Sequence, residues 1–315
     1  MFQKQVMMRR VLYALVPIVL LALWQYGLRF LLILLTSLVV GVLTEYLFKK
    51  KKGGKVSEAV LVSSVLFALS MPPAAPLWIV AIGIAFGVFM AKEVYGGFGR
   101  NIFNPAIAGR LFVYISFAGV LGASFFIPGG FGRNAGSAFG ALDGMSTATP
   151  LALMRGGHRL PLLDYISGMR PGSSGESGIV LILAAAVYLV ATKTAQWRLI
   201  VSTVLGGAVL SLVFWFSGIK QALPPEAMLA GSFLFVAVFM STDPVTAPKK
   251  PASQWAYGIL IGITIVIIRS FSLFPEGTSF AILLGNSFAS LFDRTVASRQ
   301  AAKKGAADSA KEAQK

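Results

Sequence analysis

Residues 11–48 read VLYALVPIVLLALWQYGLRFLLILLTSLVVGVLTEYLF. The run is apolar except near Gln25-Tyr26-Gly27 and Arg29, and Lys49, Lys50, Lys51, Lys52 and Lys55 follow it. One bilayer crossing needs about 20 apolar residues. The run therefore suits two helices joined by a short turn at its polar break. If Lys4, Arg9 and Arg10 before it lie on the same side as the lysines after it, an even number of crossings separates them. Two fits.

The rest of the 315 residues continues the pattern. Hydrophobic residues make up 56% of the chain and charged ones 13%, against roughly 25% charged in a soluble domain. Further apolar spans are expected at about 57–69, 77–90, 105–122, 177–192, 198–217, 228–242, 255–273 and 278–292. The expected fold is thus all-α and integral to the membrane, with about ten transmembrane helices. Its parts are a five-helix half over 1–122, a loop over 123–176, a second five-helix half over 177–292 and a charged tail over 293–315. The tail is expected to be partly disordered. Most of the 28 Lys and Arg then fall on the side of both termini. The positive-inside rule makes that side the cytoplasm and puts the 123–176 loop outside. The N-terminus lacks a convincing cleavage site and reads as a retained first helix. Leu66–Pro76 and Val238–Pro248 echo each other weakly, at expected helix ends on opposite sides. This suggests two inverted five-helix repeats.

The charge of +16 sits in short clusters between apolar runs, as topology signals do, so nucleic acid is not an expected partner. Cysteine is absent and His158 is the only histidine, which excludes disulfides, thiolate zinc, cysteine-ligated iron–sulfur clusters and bis-histidine haem in this chain. No metal site is expected. His158, beside two glycines, reads as solvated. A redox cofactor would rely on oxygen and backbone chemistry or sit in a partner chain.

Several polar segments stand out. Gly96-Gly97-Phe98-Gly99-Arg100-Asn101-Ile102-Phe103-Asn104-Pro105-Ala106 suits a loop with Asn104 capping a helix that starts at Pro105. Its amides also suit a planar ligand. Glu93, beside Lys92, reads as a surface ion pair or as a carboxylate at the mouth of an ion path. Asp243, in Met240-Ser241-Thr242-Asp243-Pro244, reads as a turn former or as an oxygen ligand for a hard cation. Arg269 reads as a snorkelling side chain or an anion partner. Asp143-Gly144-Met145-Ser146-Thr147-Ala148-Thr149-Pro150 reads as a turn, a helix cap or an attachment site.

Taken in order, four of these segments resemble the RnfD/NqrB family. They are Gly96–Ala106, Asp143–Thr149, Thr242–Val245 and Phe274–Asn286. This family supplies membrane subunits of the ion-translocating Rnf complex and the sodium-pumping NADH:quinone oxidoreductase. The resemblance implies FMN joined through a phosphoester to the Thr149 hydroxyl by a flavin transferase. Asp143, Ser146 and Ala148 match the modification signature, and Thr147 stands where the family usually has glycine. It also implies a second, non-covalent flavin such as riboflavin, for which Asn101 and Asn104 are the candidate contacts. Glu93 and Asp243 match acidic positions and become candidates for a sodium or proton path. The implied fold resembles urea and ammonium channels. The implied setting is the bacterial cytoplasmic membrane, among the other subunits of a redox-driven translocase. The short N-terminus and Pro150 favour the Rnf side. The alternatives are an NqrB-type subunit, a non-redox solute channel on the same fold, or a scaffold subunit without flavin.

Overall fold

The computed structural model describes residues 2–51, 53–129, 148–158, 161–219, 225–272 and 277–312. Its first helix, α1 (Val6–Lys51), has 46 residues. A straight helix of that length would measure about 69 Å, yet its two ends meet. β1 (Phe2–Gln3) pairs in parallel with β2 (Val56–Ser57), Phe2 opposite Val56. The Gln5 amide donates to Glu58 at 2.6 Å, and Arg9 Nε and Nη2 donate to both Glu58 oxygens at 2.5–3.0 Å. α1 therefore folds back on itself. The break is Gly27, at φ 59° and ψ −139°, a conformation that essentially only glycine adopts. Each arm buries one stripe at helical spacing: Leu15, Ile18, Ala22 and Tyr26, then Phe30, Ile33 and Ser37. Val16, Leu20, Trp24, Leu35, Val39 and Leu43 are exposed and form a lipid-facing apolar surface.

Ten spans in two inverted halves are not what the structure shows. Among the described residues, three helices are long and apolar enough to cross a membrane: α1, α9 (Trp197–Phe216) and α11 (Pro251–Phe271). The others expected as spans are short. α2 (Ala59–Ser70), α3 (Leu77–Val88) and α4 (Pro105–Ser116) have 12 residues each, and α8 (Ile179–Ala191) has 13. At 1.5 Å per residue they rise roughly 18–20 Å, short of the ~30 Å hydrocarbon core. Local chemistry explains the shortening. Pro72-Pro73 cannot continue α2, and Met71 is already extended at ψ 152°. α3 passes into a π-helical turn at Phe89–Glu93. The expected span 228–242 is instead a 3-10 turn at Pro225–Met228, a single turn α10 (Phe233–Phe235) and a second π-turn at Val236–Met240. The two echoing segments differ locally, one closing a regular α-helix and the other a π-turn. No channel-like repeat is evident among the described residues.

α5 (Ala118–Gly122), α6 (Pro150–Arg155) and α7 (Leu162–Ser167) are one to two turns long. The polar segment 172–179 after α7 does not stay at the surface; every residue in it is buried. Ser174 N and Gly175 N donate to the carbonyls of Met71 and Leu69 at 3.1 and 2.7 Å, so this segment completes the end of α2. α9 and α11 pack backbone to backbone. A Cβ on Gly262 would collide with the Thr203 carbonyl and the Gly207 amide, and one on Gly258 with Ser202. Small residues at membrane helix contacts allow this approach. α12 (Gly277–Glu312) runs through the expected tail, whose Ala, Lys and Glu residues favour helix over disorder.

Candidate functional site

Two sites lie at opposite ends of the folded α1 hairpin, one by the ribbon and one by the Gly27 break. Met8 and Val11, near the ribbon, line one; Gln25 and Tyr26, at the break, sit by the other. About 27 Å of helix separates Met8 from Tyr26.

The first is a narrow, partly open cleft with a cavity volume of about 50 Å³. Its walls include Leu66, Lys92, Phe98, Asn101, Asn104, Phe239, Thr242 and Asp243. Both π-turns end beside it. Such turns widen a helix and recur at functional positions. Asn104 caps α4: its Oδ1 accepts from Ala106 N and Ile107 N at 3.0 and 3.3 Å. Its Nδ2 donates to Asp243 Oδ2 at 3.1 Å, and its own amide donates to Asn286 Oδ1 at 3.1 Å. Asn286 Nδ2 in turn donates to the Tyr257 hydroxyl at 2.8 Å. Three of the four sequence segments thus meet here, through Asn104, Asp243 and Asn286. Asp243 Oδ1 accepts from Val245 N at 2.9 Å, so the carboxylate is also the turn former that its Asp-Pro sequence suggests. Asn101 lies in the same wall and donates to the Phe103 carbonyl at 3.3 Å.

Glu93 and Lys92 are both buried, and neither forms a surface pair with the other. Lys92 Nζ donates to Glu45 Oε2 and Ser57 Oγ, each at 2.7 Å. Glu45 Oε1 accepts from Ser57 N at 3.0 Å. Glu93 lies 3.7 Å from Lys49 Nζ. Gly97, at φ 95°, closes over this group; a Cβ there would collide with Lys49 Nζ. Glu45 and Asn286 are the residues that sequence reasoning missed as individuals. The available signal for Glu45 was a carboxylate inside an apolar run, which is costly in a membrane and rarely idle.

The second site holds Thr149. Its side chain caps α6, accepting from Ala152 N at 3.4 Å in an exposed hydrogen bond. The flanking Ala148 and residues Ile127, Leu153, Asp164, Met169 and Arg170 line an open cleft with a cavity volume of about 350 Å³. Asp143, Ser146 and Thr147 lie outside the described residues, as do Phe274–Glu276 of the fourth segment. Arg269 is buried and does not snorkel. Its Nη1 donates to the carbonyls of Ala227 and Ala230 at 2.9 and 3.1 Å. His158 is exposed, at the end of the α6 turn. No group of His, Asp and Glu among the described residues could hold a metal ion.

Residues 2–302 match the family described as NQR2, RnfD, RnfE. The B subunit of the Na(+)-translocating NADH-quinone reductase of Azotobacter vinelandii is 38% identical over 281 residues, covering 85% of this chain and 66% of that protein. Its counterpart in Pseudoalteromonas atlantica is 38% identical over 290 residues, covering 88% and 69%. That of Neisseria meningitidis is 36% identical over 285 residues, covering 85% and 67%. The chain thus spans about two thirds of the length of these relatives. Its long apolar helices and this kinship make it a multi-pass protein of the inner membrane. On the length of the match, and on the meeting of Asn104, Asp243 and Asn286, the chain belongs to the NQR2, RnfD, RnfE family.

Proposed function

We propose that this chain is a flavin-carrying membrane subunit of a cation-translocating redox complex, of the NqrB type rather than the Rnf type that Pro150 favours. The relatives named above all belong to the Na(+)-translocating NADH-quinone reductase, and this carries the choice. FMN would be held through a phosphoester on Thr149, made by a flavin transferase. A second flavin, such as riboflavin, would lie in the cleft walled by Asn101 and Asn104. When bound, these groups supply one-electron chemistry that side chains lack.

The chemistry of the lining residues suits both groups. The Thr149 hydroxyl is reachable, and its neighbouring cleft has room and apolar walls for a ring system. In the ribbon-end cleft, Leu66, Phe98 and Phe239 exclude water, while the Asn104–Asp243–Asn286 network fixes the polar wall. With Asn104 already engaged at both side-chain atoms, its role is to shape the cleft, and Asn101 is the better polar contact. Glu93 and Asp243 are the acids proposed for the sodium or proton path at this end. The ribbon end would face the cytoplasm with both termini, and Thr149 the outside. Residues 1–122 and 177–292 would form the membrane body and 123–176 the flavin-bearing segment. The other subunits of the complex would pass electrons to and from this chain.

The test is in-gel ultraviolet fluorescence of the chain co-expressed with a flavin transferase. A fluorescent band that disappears in Thr149→Ala is the expected result. A dark wild-type band beside an active transferase would sink the flavin reading and leave the channel or scaffold alternatives.

A further inference from the structure

At the Gly27 break, polar atoms from three segments turn inward and lack partners. Gln25 Nε2 donates to the Gly168 carbonyl at 2.8 Å, but its Oε1 has no hydrogen bond. Tyr26 is fully buried; its hydroxyl faces the Ser177 hydroxyl, with Glu176 and Arg170 nearby, and each of these two hydroxyls has only the other to pair with. Arg170 Nη2 donates to the carbonyls of Leu229 and Glu176 at 2.8 and 3.3 Å, while its Nε and Nη1 have no partner. The guanidinium lies 5.1 Å over the Tyr165 ring, whose buried hydroxyl is also unpartnered.

Folded proteins leave few buried polar groups unpaired, and here Gln25, Tyr165 and Arg170 do so together, beside the Tyr26 and Ser177 hydroxyls. The set mixes donors (Arg170) with an acceptor (Gln25 Oε1) and hydroxyls that serve as either. A bare cation would face the Arg170 guanidinium, and an anion would face Glu176 and Gln25 Oε1. Water satisfies both kinds of group, and buried waters commonly make about three hydrogen bonds in such places. Arg170 also lines the open cleft beside Ala148, so the group connects toward the surface on the Thr149 side.

We propose that Gln25, Tyr26, Tyr165, Arg170 and Ser177 surround an internal group of bound waters that connects toward the Thr149 side of the molecule.

Hydroxyl-radical footprinting of the full chain in lipid nanodiscs tests for these waters directly. Radicals formed on bound water oxidise adjacent rings. Tyr26 and Tyr165 should be modified at least several-fold faster than Tyr257, which is equally buried but bonded to Asn286. Equal protection of the three tyrosines overturns the proposal.

Discussion

Lys92 shares its buried ammonium between Glu45 and Ser57, so removing one member strands the other's charge. Glu45→Gln or Lys92→Met should each destabilise the chain by about 3–5 kcal/mol. The double variant should recover much of that, because two apolar or neutral groups leave no stranded ion. Thermal unfolding in detergent, read as a double-mutant cycle, checks this. Asn104 gives a second prediction. Asn104→Ala removes the α4 cap and should cost about 0.5–2 kcal/mol. Asn104→Asp keeps an N-cap acceptor but sets a second carboxylate against Asp243 in place of a donor. It should therefore disturb ligand binding in the ribbon-end cleft more than its stability suggests, measured as flavin retained after purification. Asn104 and Asp243 were legible as polar residues beside Pro in a greasy chain. Their partnership was not, because 139 residues separate them and local pattern carries no long-range pairing.

At the scale of elements, the α1 break was written in Gln25-Tyr26-Gly27, where polarity and glycine interrupt an apolar run. Gly27→Ala forces a Cβ into a positive-φ conformation and should cost about 1–3 kcal/mol, read as a lowered melting temperature. The ribbon holding the arm ends together depends on Glu58. Arg9, and then the Gln5 amide, hold its carboxyl below the ordinary glutamate range. A depressed folded value means that this tie is fully present above the unfolded value. It is lost as pH falls through the lower folded value. Amide exchange across residues 2–10 should thus be slow near pH 7 and accelerate only below about pH 4; the same acceleration at pH 6 would remove Glu58 as the cause. The two π-turns were not legible. A π-turn uses the same apolar residues as an α-helix and differs only by one inserted position, which hydropathy cannot register. The short lengths of α2, α3, α4 and α8 escaped for a related reason, since apolar loops and buried polar segments blur where a helix stops.

For the whole molecule, the absence of cysteine is an experimental opening. In a chain with no thiol, single substitutions report sidedness cleanly. Ser167→Cys, at the exposed last residue of α7, should react with a membrane-impermeant maleimide in intact cells, and Lys55→Cys, exposed near the ribbon, only after permeabilisation. Labelling of both in intact cells would refute opposite placement of the two sites. Membrane character and the motif set were readable from composition and order. The span count was not, because among the described residues three long helices with short apolar helices and turns between them match the hydropathy of ten. The doubled α1 also bears on how the chain is made. Two apolar arms joined at Gly27 can enter the bilayer together as a single loop while the ribosome is still building the rest. β2 can then pair with β1 as it emerges from the exit tunnel and pin the finished hairpin.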